Sequence, residues 1–262
     1  MIDVTTLQLE SWIGAFFWPF LRVLGVLAVA PLFGATEIPV QVRVGLAVVI
    51  AVALAPALGT MPPVDLGSAL GLTLVVQQLL VGLVIGMSMA LVLSTVQIAG
   101  SIIGLQMGLS FSTLFDPVQG VEVTSLASFL NMLTVLLFVA LNGHLMLLGV
   151  LARSFTLVPV GPHLGLAAAS WRDLALEGSA LFSLGLALSA PALGVVLIAN
   201  IGLGVLTRLA PQLNMFAIGF ALFFALGFFA LYLLLPMLQV IVRHLVEMGL
   251  ELSTRLLAAQ AG

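Results

Sequence analysis

Cysteine and lysine are both missing from these 262 residues, and only 6% of the residues are charged. Without cysteine there can be no disulfide, no thiolate chemistry and no cysteine-based metal site. Seven arginines carry all the fixed positive charge, they form no cluster, and the formal net charge is −3. A nucleic-acid partner needs a basic patch, and none is present. His144, His163 and His244 are scattered with no metal-ligand spacing among them. An ordinary soluble domain is about 25% charged. This chain has too few charged groups to cover a surface that faces water.

A basic N-terminal region is missing as well. The opening MIDVTTLQLESW carries Asp3 and Glu10, and the first arginine is Arg22. A secretory signal starts with positive charge, so the first apolar stretch is expected to stay in the mature protein.

What the chain has in abundance is apolar sequence: 62% of its residues are hydrophobic, with a mean hydropathy of +1.32. Six apolar stretches stand out, at about 12–33, 42–58, 66–99, 124–152, 178–206 and 214–242. A helix needs about 20 apolar residues to cross a bilayer, and most of these suffice. The expected fold class is an all-α integral membrane protein of long, kinked apolar helices and helical hairpins. The second stretch is short and bracketed by Pro39 and Pro56, which suits half of a hairpin. Pro19, Pro191 and Pro236 fall inside apolar stretches and predict kinks or breaks. Residues 153–177, with Arg153, Trp171, Arg172, Asp173 and Glu177, read as a polar connection, Trp171 and Arg172 suiting an interfacial anchor. If six segments cross, four arginines (Arg153, Arg172, Arg243 and Arg255) share a side with the termini and two (Arg43 and Arg208) face the other. That ratio places the termini in the cytoplasm.

Polar residues interrupt the apolar stretches: Arg22, Gln77, Gln78, Gln97, Asn131, Asn142, His144 and Asn200. An arginine near a helix centre costs about 2.5–3.5 kcal/mol on insertion scales. These groups should therefore face protein or water. Helix-to-helix hydrogen bonding and burial at a subunit interface are the two roles they suit, with Arg22, Gln77, Gln97, Asn142, His144 and Asn200 as the candidates. Glycines repeat every fourth residue at Gly67/Gly71, at Gly82/Gly86 and at Gly100, Gly104 and Gly108. On a helix each run makes a smooth stripe against which another backbone can pack.

Catalytic patterns do not emerge. The ten carboxylates lie mostly in connections and tails, and no phosphate-binding glycine loop or nucleophile elbow occurs. No catalytic residue, cofactor or metal is expected, and the chain reads as a non-enzyme. Asn142-Gly143-His144 lies between two apolar runs and suits a local helix irregularity. Arg208, with Pro211 behind it, suits the last turn of a helix. Asn214 suits the N-cap of the next. Thr207 to Leu213 is then a tight polar tip between two apolar helices.

Three phrases are more specific than these roles require: ALNGHL, GLQMGLSFSTLFDP and NIGLGVLTRLAPQLNMFAIGF, in that order. Together they resemble the FliR family of flagellar type III protein-export gates, whose relatives SpaR, YscT and HrcT serve virulence-associated secretion. The likeness covers essentially the whole chain, including the opening from Arg22 to Pro31. It implies a subunit of a helical, cone-shaped gate in the bacterial inner membrane, within the flagellar basal body. FliP and FliQ would be its partners, FlhB would attach to it, and exported flagellar proteins would pass through it. Membrane lipid would surround it, although many of its helices would pack on other subunits above the membrane plane.

The resemblance also implies a FliP-like part over 1–177 and a FliQ-like hairpin over 178–262. It implies that residues 104–120 project into the channel as a plug. Met107, Leu109, Phe111, Leu114 and Phe115 would supply its apolar bulk, with Asp116 and Pro117 at its turn. A backbone loosened by glycine that carries large apolar side chains can exclude water from a pore. The tip residues Arg208, Pro211, Gln212 and Asn214 would face the cytoplasmic entrance and FlhB. Two alternatives stand beside the flagellar reading: the equivalent virulence-system subunit, and a small-solute transporter built on broken helices.

Overall fold

The computed structural model describes residues 6–35, 38–59, 61, 68–109, 124–161, 168–210 and 215–258. Among the described residues, regular structure is entirely helical. Seven α-helices follow one another: α1 (Thr6–Val29), α2 (Val40–Leu54), α3 (Ala69–Gln106), α4 (Ser125–Ala140), α5 (Gly143–Leu157), α6 (Ala168–Leu209) and α7 (Met215–Ala258). A short 3₁₀ turn, Ala55–Ala57, closes α2 around Pro56. Helices are the natural outcome for such a chain. In an apolar medium every backbone N–H and C=O needs a partner within its own segment.

Hydropathy located the elements but misjudged their ends. Helix α3 runs for 38 residues, α6 for 42 and α7 for 44. At about 1.5 Å per residue they are roughly 57 to 66 Å long, twice the ~30 Å hydrocarbon core. In α6 and α7 part of the excess carries charged residues. Arg172, Asp173 and Glu177 belong to α6, and Arg243, Glu247, Glu251 and Arg255 belong to α7. The expected polar connection over 153–177 is therefore corrected: α5 continues to Leu157 and α6 begins at Ala168. Propensity sustains a helix where hydropathy has already fallen, and Arg255 pairs with Glu177 across the two tails.

The apolar stretch at 124–152 is likewise two helices. They are divided at Asn142, whose backbone lies in the left-handed region at φ 58° and ψ 24°. Asparagine tolerates that conformation better than most residues. Four of the described helices are long and apolar enough to cross a membrane, or five if α4 and α5 count as one broken span. The chain is a multi-pass membrane protein. Among the described side chains, Ile13–Val29 of α1 is a shorter apolar stretch. Helices α1, α6 and α7 run through Pro19, Pro191 and Pro236 without interruption.

The chain forms two compact units, and α3, α6 and α7 contribute residues to both. The first comprises residues 1–92, 142–177 and 246–262, the second residues 93–141 and 178–245. In the first unit α1 and α3 cross with their backbones touching. A Cβ at Gly25 would lie 2.6 Å from the Leu79 carbonyl, and one at Gly86 would lie 2.6 Å from the Val26 carbonyl. A Cβ at Gly82 would strike the Arg22 carbonyl. The Gly82/Gly86 stripe thus has its partner within the chain. Trp18, Leu21 and Leu74 bury themselves beside this crossing.

In the second unit the stripe at Gly100 and Gly104 receives α4. A Cβ at Gly100 would lie 2.8 Å from Ala127 Cα, and one at Gly104 would lie 2.9 Å from Thr124 Oγ1. Pro191 lines an apolar cavity of about 130 Å³ with Leu188, Phe229, Leu233 and Met237. Gly67 of the first expected stripe lies outside the described residues.

Candidate functional site

Two places concentrate the unusual residues. The first surrounds Arg22. The α1–α3 crossing holds this side chain wholly inside the first unit, with no exposed surface. Its Nε donates to Gln78 Oε1 at 2.8 Å, Nη1 to Ser154 Oγ at 2.9 Å and Nη2 to the Val158 carbonyl at 2.8 Å. The guanidinium carbon lies 3.9 Å from the centre of the Phe155 ring. Gln78 Nε2 donates onward to Gln77 Oε1 at 3.2 Å, and Ser154 Oγ donates to the Leu151 carbonyl at 2.6 Å. Every partner of the guanidinium in this network is neutral.

The end of α5 supplies what a carboxylate would otherwise provide. Val158 is the C-cap of that helix. The last-turn carbonyls of a helix carry partial negative charge, and a cation beside them is stabilised by up to about 2 kcal/mol when partly buried. The aromatic face adds attraction of its own. A guanidinium stays charged at neutral pH. It pins α1, α3 and α5 together.

The second place is the root of residues 104–120. Met107 follows the last turn of α3, its N–H donating to the Ile103 carbonyl at 2.9 Å. Gly108 takes φ +78° and donates to the Leu105 carbonyl at 3.1 Å, the left-handed cap that favours glycine. Met107 is only 1% exposed. It lies against α7 where Gly227 leaves room for it. Thr124 lies against Gly104 and caps α4, its Oγ1 accepting from Ala127 N at 3.3 Å. Leu109 is half-buried, and Phe111, Leu114, Phe115, Asp116 and Pro117 lie outside the described residues.

The other candidates are dispersed. Arg208 is exposed in the last turn of α6, while Pro211, Gln212 and Asn214 lie outside the described residues. Gln77 joins the Arg22 network through Gln78. Gln97 is half-buried on α3, and Asn142 and Asn200 are exposed. His144 is half-buried, and its Nδ1 is shielded without a hydrogen-bond partner.

Sequence reasoning did not single out Ser154, Phe155 or the Val158 carbonyl. A buried arginine announces that it needs partners, but a serine, a phenylalanine and a carbonyl in a distant helix carry no signal that they are those partners. Nor was Gly227 singled out, because it has no glycine at four-residue spacing on either side.

The sequence model of the family described as bacterial export proteins, family 1, matches residues 13–249. The flagellar biosynthetic protein FliR of Escherichia coli (strain K12) is 40% identical over 245 residues, covering 94% of this chain and 93% of that protein. The FliR of Pectobacterium carotovorum subsp. carotovorum is 37% identical over 247 residues, at the same coverage of both chains. The FliR of Bacillus subtilis (strain 168) is 30% identical over 247 residues, 93% of this chain and 95% of its own length. Matched from within α1 to well into α7, the chain belongs to the bacterial export proteins of family 1, alongside the flagellar biosynthetic proteins FliR.

Proposed function

We propose that this chain is a structural and gating subunit of the flagellar type III protein-export gate. With FliP and FliQ homologues it forms the protein-conducting channel for flagellar components, and an FlhB homologue attaches to the assembly. The gate sits in the bacterial inner membrane, in the flagellar basal body. The observation that carries this reading is the near full-length match to relatives named as flagellar biosynthetic proteins. The same names favour the flagellar branch over the virulence branch.

In this reading residues 1–177 are the FliP-like part and residues 178–262 the FliQ-like hairpin. Residues 104–120 form the plug, through Met107, Leu109, Phe111, Leu114, Phe115, Asp116 and Pro117. The hairpin tip at Arg208, Pro211, Gln212 and Asn214 faces the cytoplasmic entrance. Gln97, Asn142, His144 and Asn200 serve subunit interfaces, which suits polar groups left exposed or half-buried on apolar helices. The chain performs no chemistry of its own, and the driving energy comes from its partners.

The test is expression of the chain with and without its FliP and FliQ homologues, followed by detergent extraction. Co-purification as one large complex is expected. A monodisperse monomer that ignores both partners, and leaves a strain lacking its own FliR non-motile, would overturn the proposal.

A further inference from the structure

We propose that the apolar cavity beside Pro191, in the second unit, is a binding site for the methyl end of a lipid acyl chain. All ten residues that line it are apolar, so no lining side chain offers water a hydrogen bond, and such cavities do not hold water. Ser189, on the same stretch of α6, spends its hydroxyl on the Leu186 carbonyl at 2.9 Å. The floor is enclosed, since Ile103 and Ala192 are buried. The mouth is not: Phe229, Leu233 and Met237 line the cavity and are each more than half exposed. The cavity therefore opens outward across α7. Proline crowds the turn before it, and Ala192 beside it and Ala230 opposite leave space that larger side chains would fill.

The position of the cavity points to lipid. Ala192 is the midpoint of the apolar stretch 178–206, and Phe229 lies one residue past that of 214–242. Both walls thus stand at mid-depth of helices that are long and apolar enough to cross a membrane. Each leaflet supplies half of the ~30 Å hydrocarbon core, so an acyl chain reaches that depth with its methyl end. Of the membrane-length apolar windows of α6 and α7, 28% and 17% are buried within the chain, against 61% for α3. The walls are therefore the parts of this fold that turn most fully outward.

Size and energetics select the end of one chain. The cavity, about 130 Å³, is on the order of the ~150 Å³ apolar cavity that takes up benzene or xenon. A second chain or a polar headgroup does not fit. A tail that enters leaves hydrocarbon and not water, so the hydrophobic effect contributes little. The gain is dispersion contact that an empty cavity would forfeit, and the bound tail exchanges with the bilayer. The site requires only the multi-pass membrane character of the chain and stands apart from the gate reading above.

The test uses the full chain with its partners in phosphatidylcholine vesicles that carry a trace of lipid with a diazirine at the methyl end of one acyl chain. Photolysis and peptide mapping show where the carbene inserts. Insertion at Leu233 and Met237 is expected to exceed that at Ile198 and Val240 by roughly five-fold, because packing contacts hold a tail in the cavity. Ile198 and Val240 are exposed on the same two helices but do not line it. Lipid with the diazirine beside the ester should leave Leu233 and Met237 unlabelled. Ala192→Leu fills the cavity and should abolish the excess while labelling at Ile198 and Val240 stays as in wild type. Ala230→Leu fills the same space from α7 if Ala192→Leu does not assemble. Equal labelling of lining and non-lining residues in the wild type overturns the proposal, as does an excess that survives the filling substitution. An unlabelled cavity overturns it too, and crosslinking of a benzophenone on Leu233→Cys to a partner subunit would then identify a protein side chain as the occupant.

Discussion

Replacing Arg22 with methionine removes three hydrogen bonds and one buried charge while keeping most of the side-chain volume. Its three acceptors fare differently. Ser154 Oγ keeps its bond to the Leu151 carbonyl, so little is lost there. Gln78 Oε1 and the Val158 carbonyl lose the bonds that Arg22 supplied. Each buried acceptor left unsatisfied costs about 1–3 kcal/mol. Against this, methionine carries no charge that must be stripped of water, and replacing a buried ion by an apolar side chain is often neutral or stabilising. The two effects oppose each other.

The neutral partners of Arg22 decide between them. In a carboxylate pair both charges would be stranded in turn. Here the α5 C-terminus and the Phe155 ring already offset the charge, so the dominant loss is that of the two acceptors. We expect Arg22→Met to destabilise by about 2–4 kcal/mol, a thirty- to several-hundred-fold rise in the opened population. Arg22→Lys should cost a similar amount, because an ammonium cannot fork to Gln78, Ser154 and Val158 at once. Adding Gln78→Leu to Arg22→Met should recover about 1–2 kcal/mol by removing one orphaned acceptor. The assay is pulse proteolysis of the detergent-solubilised gate across a denaturant series. An Arg22→Met chain as resistant as wild type would refute the reasoning, since it would mean that desolvation of the charge outweighs all three bonds.

Gly82→Val should prevent stable accumulation of the chain in membranes, because its side chain would meet the Arg22 carbonyl where α1 and α3 touch; wild-type levels on immunoblots would contradict the crossing. Alanine at Arg208, Gln212 and Asn214 together should weaken crosslinking to the FlhB homologue more than co-purification with FliP, and unchanged crosslinking with normal motility would leave the tip as a plain turn. Arg255→Ala should shift stability by no more than about 1 kcal/mol, since Arg255 is 62% exposed and exposed ion pairs contribute little. Asn142→Gly should be tolerated within about 0.5 kcal/mol, whereas Asn142→Val should cost more than 1 kcal/mol through the left-handed backbone there; thermal shift of the purified gate ranks the two.

Much of the helix map was legible because punctuation in the sequence is local. Pro39 precedes the start of α2. Arg208 sits in the last turn of α6, ahead of the proline that forbids its continuation. Asn142 marks the break in the fourth apolar stretch. The lengths of α6 and α7 were not legible from hydropathy, which sees the part that greases a membrane and not the charged turns that prolong a helix. The Arg22 network was half legible. Its central charge and Gln77-Gln78 stand out against an apolar background, while Ser154, Phe155 and the end of α5 are ordinary residues made special by distance in the chain. The Met107 seat was illegible for a related reason: a notch is defined by an absent side chain, and a lone glycine in a helix resembles many others.

The length of α7 has a consequence for the lipid around it. Its apolar run from Met215 to Val242 is roughly 42 Å at about 1.5 Å per residue. A hydrocarbon layer of ~30 Å can hold that run only at a tilt of roughly 45°, beyond the usual range for spanning helices. A solitary chain must lean that far or thicken the bilayer around it, and each ångström of mismatch carries an energetic penalty. Neighbouring subunits that cover the surplus relieve it. Bilayer thickness then becomes a variable that selects for assembly. In short-chain lipid vesicles the unassembled protein should cluster with itself, and lengthening the acyl chains should disperse it.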